Sequence, residues 1–319
     1  MRSLISVADL SQDDFRALVD AASAWFAAGP GAASLLAGRV IGLYFAQPST
    51  RTRTAFTAAA LRMAAGVVTY GPNDLQLSTG ESEEDTGEVL APMLDALVVR
   101  ASGDHRRLTR LGADGRLPII NAMNTLEHPT QAIGDLATMR AHRGGIDGVR
   151  VLYVGEANST TMALAHALMK VPSAMLTIAA PTGYGFDAAT LGVINAQGAA
   201  NGAQCSQVPT VLGLAEPGAG HPDFVYTTQW QTTGTTKADP NWRTAFYPEF
   251  QVNTALMAPW PKARVLHDLP ARRGEEITRQ VLDGPQSLAR EQARNKLAGA
   301  AASLLWVLTG AEGLQLISG

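Results

Sequence analysis

The sequence predicts an α/β protein of two domains, each with a central, mostly parallel sheet flanked by helices. Three observations carry this. The chain has 319 residues, enough for two domains with real cores. Apolar runs of strand length alternate along it with longer helix-forming stretches. A second strand–helix series opens at Arg150, just after a junction at Ile146-Asp147-Gly148. The expected division is 1–142 for the first domain, completed by a C-terminal helix within 286–319, and 143–285 for the second.

The bulk composition narrows the class. Apolar residues make up 46% and charged residues 17%, which is globular rather than disordered. A net charge of −3 gives no electrostatic reason to expect a nucleic-acid partner. Cys205 is the only cysteine, so there is no intrachain disulfide and no cysteine-rich metal site, which fits a reducing compartment. The N-terminus lacks the basic and apolar regions of a signal peptide. No run reads as long and apolar enough to span a bilayer. A cytoplasmic protein with no membrane partner is expected.

Taken in order, Ser11 and Asp14 mark a helix start of the capping-box kind, with Asp in place of Glu. Phe15, Leu18, Val19, Ala22 and Phe26 follow at helical spacing, and Gly29-Pro30-Gly31 ends the helix. Val40–Phe45 is a buried strand that Pro48 ends, with a helix over Ala55–Ala65. Gly66–Tyr70 is a short strand. Ser82 can cap a helix whose first turn holds Glu83 and Glu84, a structural role for both acids. Ala96–Arg100 and Pro118–Asn121 are strands. Pro129 suits the first position of a helix that runs to about His142. Arg150–Val154, Met175–Ala179, Asp223–Thr227 and Arg264–His267 are the strands of the second series, with a helix to Lys170 after the first. The stretch Gly198–Gly220 is rich in small residues and uninformative. A long helix from Gln286 to about Thr309 closes the chain, with Leu297, Ala301, Leu304, Leu305 and Leu308 as its buried face.

The chemistry is concentrated at Ser49-Thr50-Arg51-Thr52-Arg53, between the first strand and its helix. The first amides of a helix lack intrahelical partners and the helix dipole is positive there, so anions are favoured. Ser49, Thr50 and Thr52 add donors, and Arg51 adds a planar fork that matches a pair of phosphate oxygens. A capped helix with solvated arginines is the plain alternative, but the density of hydroxyls and guanidiniums exceeds what capping needs. Arg100, at the end of its strand, faces the crevice where open α/β sheets bind ligands. His128 and Gln131 lie three apart, on one helix face.

The Ser-Thr-Arg-Thr-Arg run resembles the carbamoyl-phosphate signature of the aspartate/ornithine carbamoyltransferase family, and further family blocks follow in order over nearly the whole chain. The resemblance implies that Ser49, Thr50, Arg51, Thr52, Gln76, Arg100, His128, Gln131, the backbone carbonyl of Leu269 and Lys296 bind carbamoyl phosphate. Arg51, Thr52, Arg100 and His128 would carry catalysis. The loop Gln76–Thr86 reaches a neighbouring subunit in the family, and a homotrimer with carbamoyl phosphate and a small amine or amino acid as partners is implied. No metal or organic cofactor is required. A dinucleotide is also disfavoured, because Gly155-Glu156-Ala157-Asn158 lacks the G-x-G-x-x-G pattern.

The acceptor side departs from the family. Asn158, Thr228, Gln229, Gln231, Thr232, Asp268 and Arg273 fall where the amine is selected. Ornithine enzymes carry an aspartate at the place of Thr228, a serine-methionine-glycine turn at Thr232-Thr233-Gly234, and a cysteine at Asp268. Aspartate enzymes carry an arginine at Gln229, and Gln231 matches their glutamine. Lys296 stands for an arginine. Asp268 either pairs with Arg272 or Arg273, or meets a cationic or amide group of the acceptor. The expected function is carbamoyl transfer to an amine that is neither ornithine nor aspartate. The rival is a family member that binds carbamoyl phosphate or a metabolite without turnover.

Overall fold

The computed structural model describes residues 2–28, 33–216, 220–232 and 235–318. The helix stop assigned to Gly29-Pro30-Gly31 and the turn residues Thr233 and Gly234 lie outside them. The chain divides into two compact units, Met1–Ala141 with Arg294–Gly319, and His142–Ala293.

In the first unit, α1 (Gln12–Ala24) starts at Ser11, whose hydroxyl accepts from the Asp14 amide. Strands β1 (Val40–Phe45), β2 (Gly66–Tyr70), β3 (Ala96–Arg100) and β4 (Ile119–Asn121) form a parallel sheet in the order β2-β1-β3-β4. β1 and β3 are almost wholly buried, as continuous apolar runs in a parallel sheet must be. The chain leaves β1 toward β2 on one side and later places β3 on the other. This order reversal opens a crevice at the C-terminal strand ends, the usual ligand site of open α/β sheets. The segments after these strands are α2 (Thr50–Arg62), α3 (Glu83–Leu90), α4 (His105–Leu111) and α5 (Pro129–Arg143).

Two boundaries differ from expectation. α2 begins at Thr50 rather than Ala55, because Ser49 is extended (φ −154°, ψ 93°) and the helix winds through the Thr-Arg-Thr-Arg run itself. It ends at Arg62, just before Ala64 turns to φ 63°. The roles of Glu83 and Glu84 are visible: Glu83 pairs with Arg107 at 3.0 Å and Arg110 at 3.4 Å, and Glu84 with Arg110 at 3.2 Å.

The second unit holds β5 (Arg150–Val154), β6 (Met175–Ala179), β7 (Gln204–Val208), β8 (Phe224–Thr227) and β9 (Arg264–His267), parallel in the order β7-β6-β5-β8-β9. Its switch point lies between β5 and β8. α6 (Ser159–Leu168) follows β5, and α7 (Ala188–Gly198), α8 (Thr254–Met257) and α9 (Arg279–Leu282) complete the unit. An aromatic core of Trp230, Trp242, Phe246, Phe250 and Trp260 packs beside the sheet. β7 lies in the stretch whose small residues carry no legible pattern.

The last helix, α10, spans Ala289–Ser318 and breaks at Gly310 (φ 73°). It starts later and ends later than the sequence suggests, and the division between units falls within it. It corrects a second expectation: its residues 289–317 are long and apolar enough to cross a bilayer, with 72% of the most apolar window buried. The reason is a core position. Ala298 through Val307 is buried residue after residue, so the helix is apolar around its circumference because it is packed around its circumference. Leu297 and Leu308 are only half-buried.

Candidate functional site

The first unit's cluster is built from the strand ends. Ser49 occupies the N-cap position of α2 yet its side chain makes no capping bond. Ser11, Ser82 and Asp104, by contrast, each accept from an amide of the helix they cap. The Ser49 hydroxyl is therefore not consumed in starting the helix. Thr52 is buried, Arg51 half-buried and Thr50 exposed. Arg53 plays a different part. Its guanidinium stacks on the Phe45 ring, 5.2 Å from the centroid, fastening α2 to β1. Arg100, at the end of β3, is 8% exposed.

His128, immediately before α5, is buried. Burial first, then the positive charges of Lys296 and Arg100, hold its pKa well below the ordinary value of 6.5, so the imidazole is neutral near pH 7. Its Nδ1 is buried without a hydrogen-bond partner among the described residues. A buried polar atom with no partner is costly, and here it lies within electrostatic reach of Lys296 and Arg100. Lys296, from α10, donates to the Gln131 side-chain carbonyl, and the Gln131 amide donates to Asp135 at 2.6 Å. Gln131 is thus clamped at both ends. The clamp depends on a close helix contact. A Cβ on Gly134 would lie 3.0 Å from the Asn295 carbonyl oxygen, and one on Gly299 would lie 3.0 Å from the Thr130 carbonyl oxygen. α5 and α10 therefore approach at backbone distance, which brings Lys296 beside Gln131. Gln76 stands apart, exposed on a single short turn with its side-chain carbonyl taken by the Thr79 hydroxyl at 2.7 Å.

In the second unit, the loops after β5, β8 and β9 meet at the switch point. Asn158 caps α6: its side-chain oxygen accepts from the amides of Thr160 and Thr161. Its amide nitrogen donates to the Thr228 hydroxyl at 3.0 Å, and Thr228 donates onward to the Gln229 carbonyl at 3.2 Å. Thr160 donates to Asp268 at 3.1 Å. Tyr153 lies beneath, donating to the Glu156 carbonyl at 2.7 Å, and burial raises its pKa. Gln231 and Thr232 serve a local turn instead: the Gln231 amide donates to the Thr235 carbonyl at 2.5 Å, and the Thr232 carbonyl accepts the Thr235 amide and hydroxyl.

The pairing of Asp268 with Arg272 or Arg273 is not what forms. Arg272 goes to Glu275 at 3.7 Å and Arg273 to Asp283 at 3.0 Å, because those carboxylates lie on the same outer turn and just after α9. Arg273 accordingly does not join the Asn158–Thr228–Asp268 group.

Three residues missed in the sequence shape these loops. His267 and Glu276, both fully buried, are joined Nε2 to Oε1 at 3.0 Å. His267 Nδ1 accepts the Leu269 amide at 2.9 Å, so the ring proton resides on Nε2. Glu276 also accepts the Arg272 amide at 2.7 Å. This frame holds Leu269 in a left-handed conformation, φ 55°, a strain of about 1–2 kcal/mol for a non-glycine residue. Lys237, 12% exposed, pairs with Glu156 and lies over the rings of Tyr184 and Trp242 at 4.9 and 5.3 Å. Burial raises the Glu156 pKa, with Lys237 opposing. The adjoining Glu275-Glu276 pair was the one available hint; nothing in spacing marked Lys237.

Each unit thus carries one cluster of polar side chains at the C-terminal strand ends of its parallel sheet. The description "Aspartate/ornithine carbamoyltransferase, carbamoyl-P binding domain" matches residues 2–141, and "Aspartate/ornithine carbamoyltransferase, Asp/Orn binding domain" matches residues 147–307. The chain belongs to the aspartate/ornithine carbamoyltransferase family. It is 36% identical to the ornithine carbamoyltransferase of Acidothermus cellulolyticus, over 98% of each chain. It is 33% identical to that of Haloquadratum walsbyi, over 92% of this chain and 94% of the relative. The ornithine carbamoyltransferase structure from Pyrococcus furiosus superposes with a TM-score of 0.88 at 30% identity, covering 97% of each chain. Among the described residues no cluster of His, Cys, Asp and Glu is arranged to hold a metal ion.

Proposed function

We propose that this carbamoyltransferase moves the carbamoyl group of carbamoyl phosphate to an amine other than ornithine or aspartate, releasing phosphate. The observation that carries the donor half is the buried, unpartnered Nδ1 of neutral His128 beside Arg100 and Lys296, with an uncommitted Ser49 hydroxyl at the α2 N-terminus.

In this reading Ser49, Thr50, Arg51 and Thr52 hold the phosphate with Arg100. Thr52, Arg100 and His128 stabilise the carbonyl oxygen as the amine nitrogen attacks the carbamoyl carbon and negative charge develops. A neutral imidazole donates one hydrogen bond without adding charge. Gln131, fixed by Lys296 and Asp135, orients the carbamoyl NH2. The carbon–oxygen bond to phosphate then breaks, and the phosphate takes the proton lost by the amine. Positioning supplies much of the rate, since no separate general base is invoked.

Support for an unusual acceptor comes from the second unit. Thr228, where ornithine enzymes carry aspartate, spends its hydroxyl on Asn158 and the Gln229 carbonyl. It offers no charge to an α-ammonium. A cytoplasmic homotrimer is part of the same proposal.

The test is phosphate release from carbamoyl phosphate with a panel of amines. Ornithine and aspartate are expected to be poor acceptors, with kcat/KM at least about tenfold below the best amine, the loss that one missing charge-assisted contact brings. A specificity constant for either that equals the best in the panel overturns the acceptor assignment.

A further inference from the structure

The Nδ1 atom of His128 has no hydrogen-bond partner among the described residues, so no bond at that atom aims the imidazole. The main chain before it carries much of that task. The loop 122–127, between β4 and α5, folds on two asparagine side chains. Asn121 Oδ1 accepts the Met123 amide at 3.0 Å, and Asn124 Oδ1 accepts the amides of Leu126 at 3.0 Å and Glu127 at 2.8 Å. Met123 sits at φ 119°, a strained value for a residue with a side chain, and such strain persists only where the surroundings over-determine the backbone.

Glu127 closes the loop and is fully buried. Its carbonyl accepts the Asn124 amide at 3.0 Å and the Asn121 side-chain amide at 3.4 Å. Its carboxylate accepts the Ser6 hydroxyl at 2.5 Å and the Val7 amide at 2.8 Å. A carboxylate taken out of water is costly unless it is hydrogen-bonded, and here donors 120 and 121 positions away meet its two oxygens. Those donors are themselves held. Residues 4–7 lie along β4: the Leu4 amide donates to the Ile119 carbonyl and the Asn121 amide to the Leu4 carbonyl, both at 2.8 Å. The Asn121 side chain also donates to the Ile5 carbonyl at 2.8 Å. The residue immediately before His128 is thus tied, through its side chain, to a segment that is fixed on the sheet.

We propose that Glu127 is a positioning residue for His128, and that residues 4–7 act through it, by way of Ser6 and Val7, to aim the imidazole at the reacting carbonyl. This rests on the role given to His128 above and adds what holds it there. Loss of the Ser6 hydroxyl leaves the Val7 bond, about which the carboxylate can turn, and the main chain at 127–128 relaxes with it.

The experiment compares Ser6→Ala, Glu127→Gln, their double variant and His128→Gln. Steady-state phosphate release is read with the best acceptor of the panel, and the imidazoles are followed by NMR, with the His128 signal identified by its loss in His128→Gln. Glu127→Gln keeps the volume and an acceptor for the Val7 amide. Ser6→Ala keeps the carboxylate, so it remains informative should Glu127→Gln fail to fold. Each single variant is expected to lower kcat about tenfold, with the KM for carbamoyl phosphate changed by less than about twofold; this is a fraction of the roughly hundredfold that a 1 Å displacement can cost. The double variant should be no worse than the worse single, since both cut one connection. Ser6→Ala should shift the His128 signal, and should cost nothing further in a His128→Gln background. A folded Ser6→Ala protein with wild-type kcat and an unmoved His128 signal overturns the proposal, as does a loss that persists undiminished in the His128→Gln background. A His128 signal that moves in Ser6→Ala, while His128→Gln turns over at the wild-type rate, would uphold the positioning and sink the role of His128 in transfer instead.

Discussion

Replacing Gly299 by alanine tests whether the α5–α10 contact sets the position of Lys296. Two effects oppose each other. In the middle of a helix, Gly→Ala stabilises by about 1 kcal/mol through backbone entropy. Against this, the new methyl carbon would lie 3.0 Å from the Thr130 carbonyl oxygen and 3.2 Å from the Gly134 nitrogen. Both are backbone atoms of α5 and cannot rotate away, so α10 must move. Overpacking of this kind costs about 1–3 kcal/mol, which leaves a net destabilisation of roughly 0–2 kcal/mol. The functional effect should be larger in proportion. Lys296 lies one turn before Gly299 and reaches Gln131, one turn before Gly134. A displacement of a few tenths of an ångström pulls that contact apart, and a loss of about tenfold in kcat/KM for carbamoyl phosphate follows, given that a 1 Å error can cost about a hundredfold. Urea unfolding midpoints and steady-state phosphate release are the assays. A variant that is more stable than wild type, with unchanged kinetics, would refute the claim that this glycine contact places Lys296.

Ser49→Ala should leave the unfolding midpoint unchanged, because no capping bond is lost, while raising the KM for carbamoyl phosphate; Ser82→Ala, which removes the bond to the Asp85 amide, should cost about 1 kcal/mol. A Ser49→Ala protein destabilised as much as Ser82→Ala would return Ser49 to an ordinary cap. His128 gives a pH signature. Its folded-state pKa lies below 6.5, so below pH 6.5 the unfolded chain takes up a proton that the folded chain refuses. Stability from this group is present above pH 6.5 and is lost on acidification, by about 1.4 kcal/mol per pH unit, until the folded pKa is reached. His128→Gln should flatten that slope in urea titrations between about pH 7 and 5, on either side of the ordinary histidine value, and the wild-type rate profile should show no inflection from this group at 6.5.

Most of the strands were legible because parallel strands buried on both faces are written as apolar runs; β2, largely exposed at the sheet edge, is the exception. β1, β2, β3, β5, β6 and β9 begin and end at the residues their composition marks. β7 was not, because Gln204, Ser206 and Gln207 leave only Cys205 and Val208 as apolar positions, too weak an alternation to announce a strand. The motif Ser49–Arg53 was visible as chemistry, but its helical conformation was not: threonines and arginines at a helix start look like a turn until the backbone of Ser49 is seen. The acceptor-side contacts were illegible for a different reason. Asn158–Thr228 and Thr160–Asp268 join residues 70 and 108 positions apart, and Lys296–Gln131 spans 165. No local pattern encodes such pairs, so composition near Asp268 suggested Arg272 and Arg273 as partners when topology had assigned them elsewhere.

The most direct measurement on the central claim is phosphate release by Arg51→Ala, run beside carbamoyl-phosphate calorimetry and circular dichroism. The account predicts a folded protein with turnover reduced by at least about a hundredfold and carbamoyl-phosphate binding lost with it, since a guanidinium fork at the α2 N-terminus holds the phosphate. Turnover and binding at wild-type levels in the folded variant would contradict it.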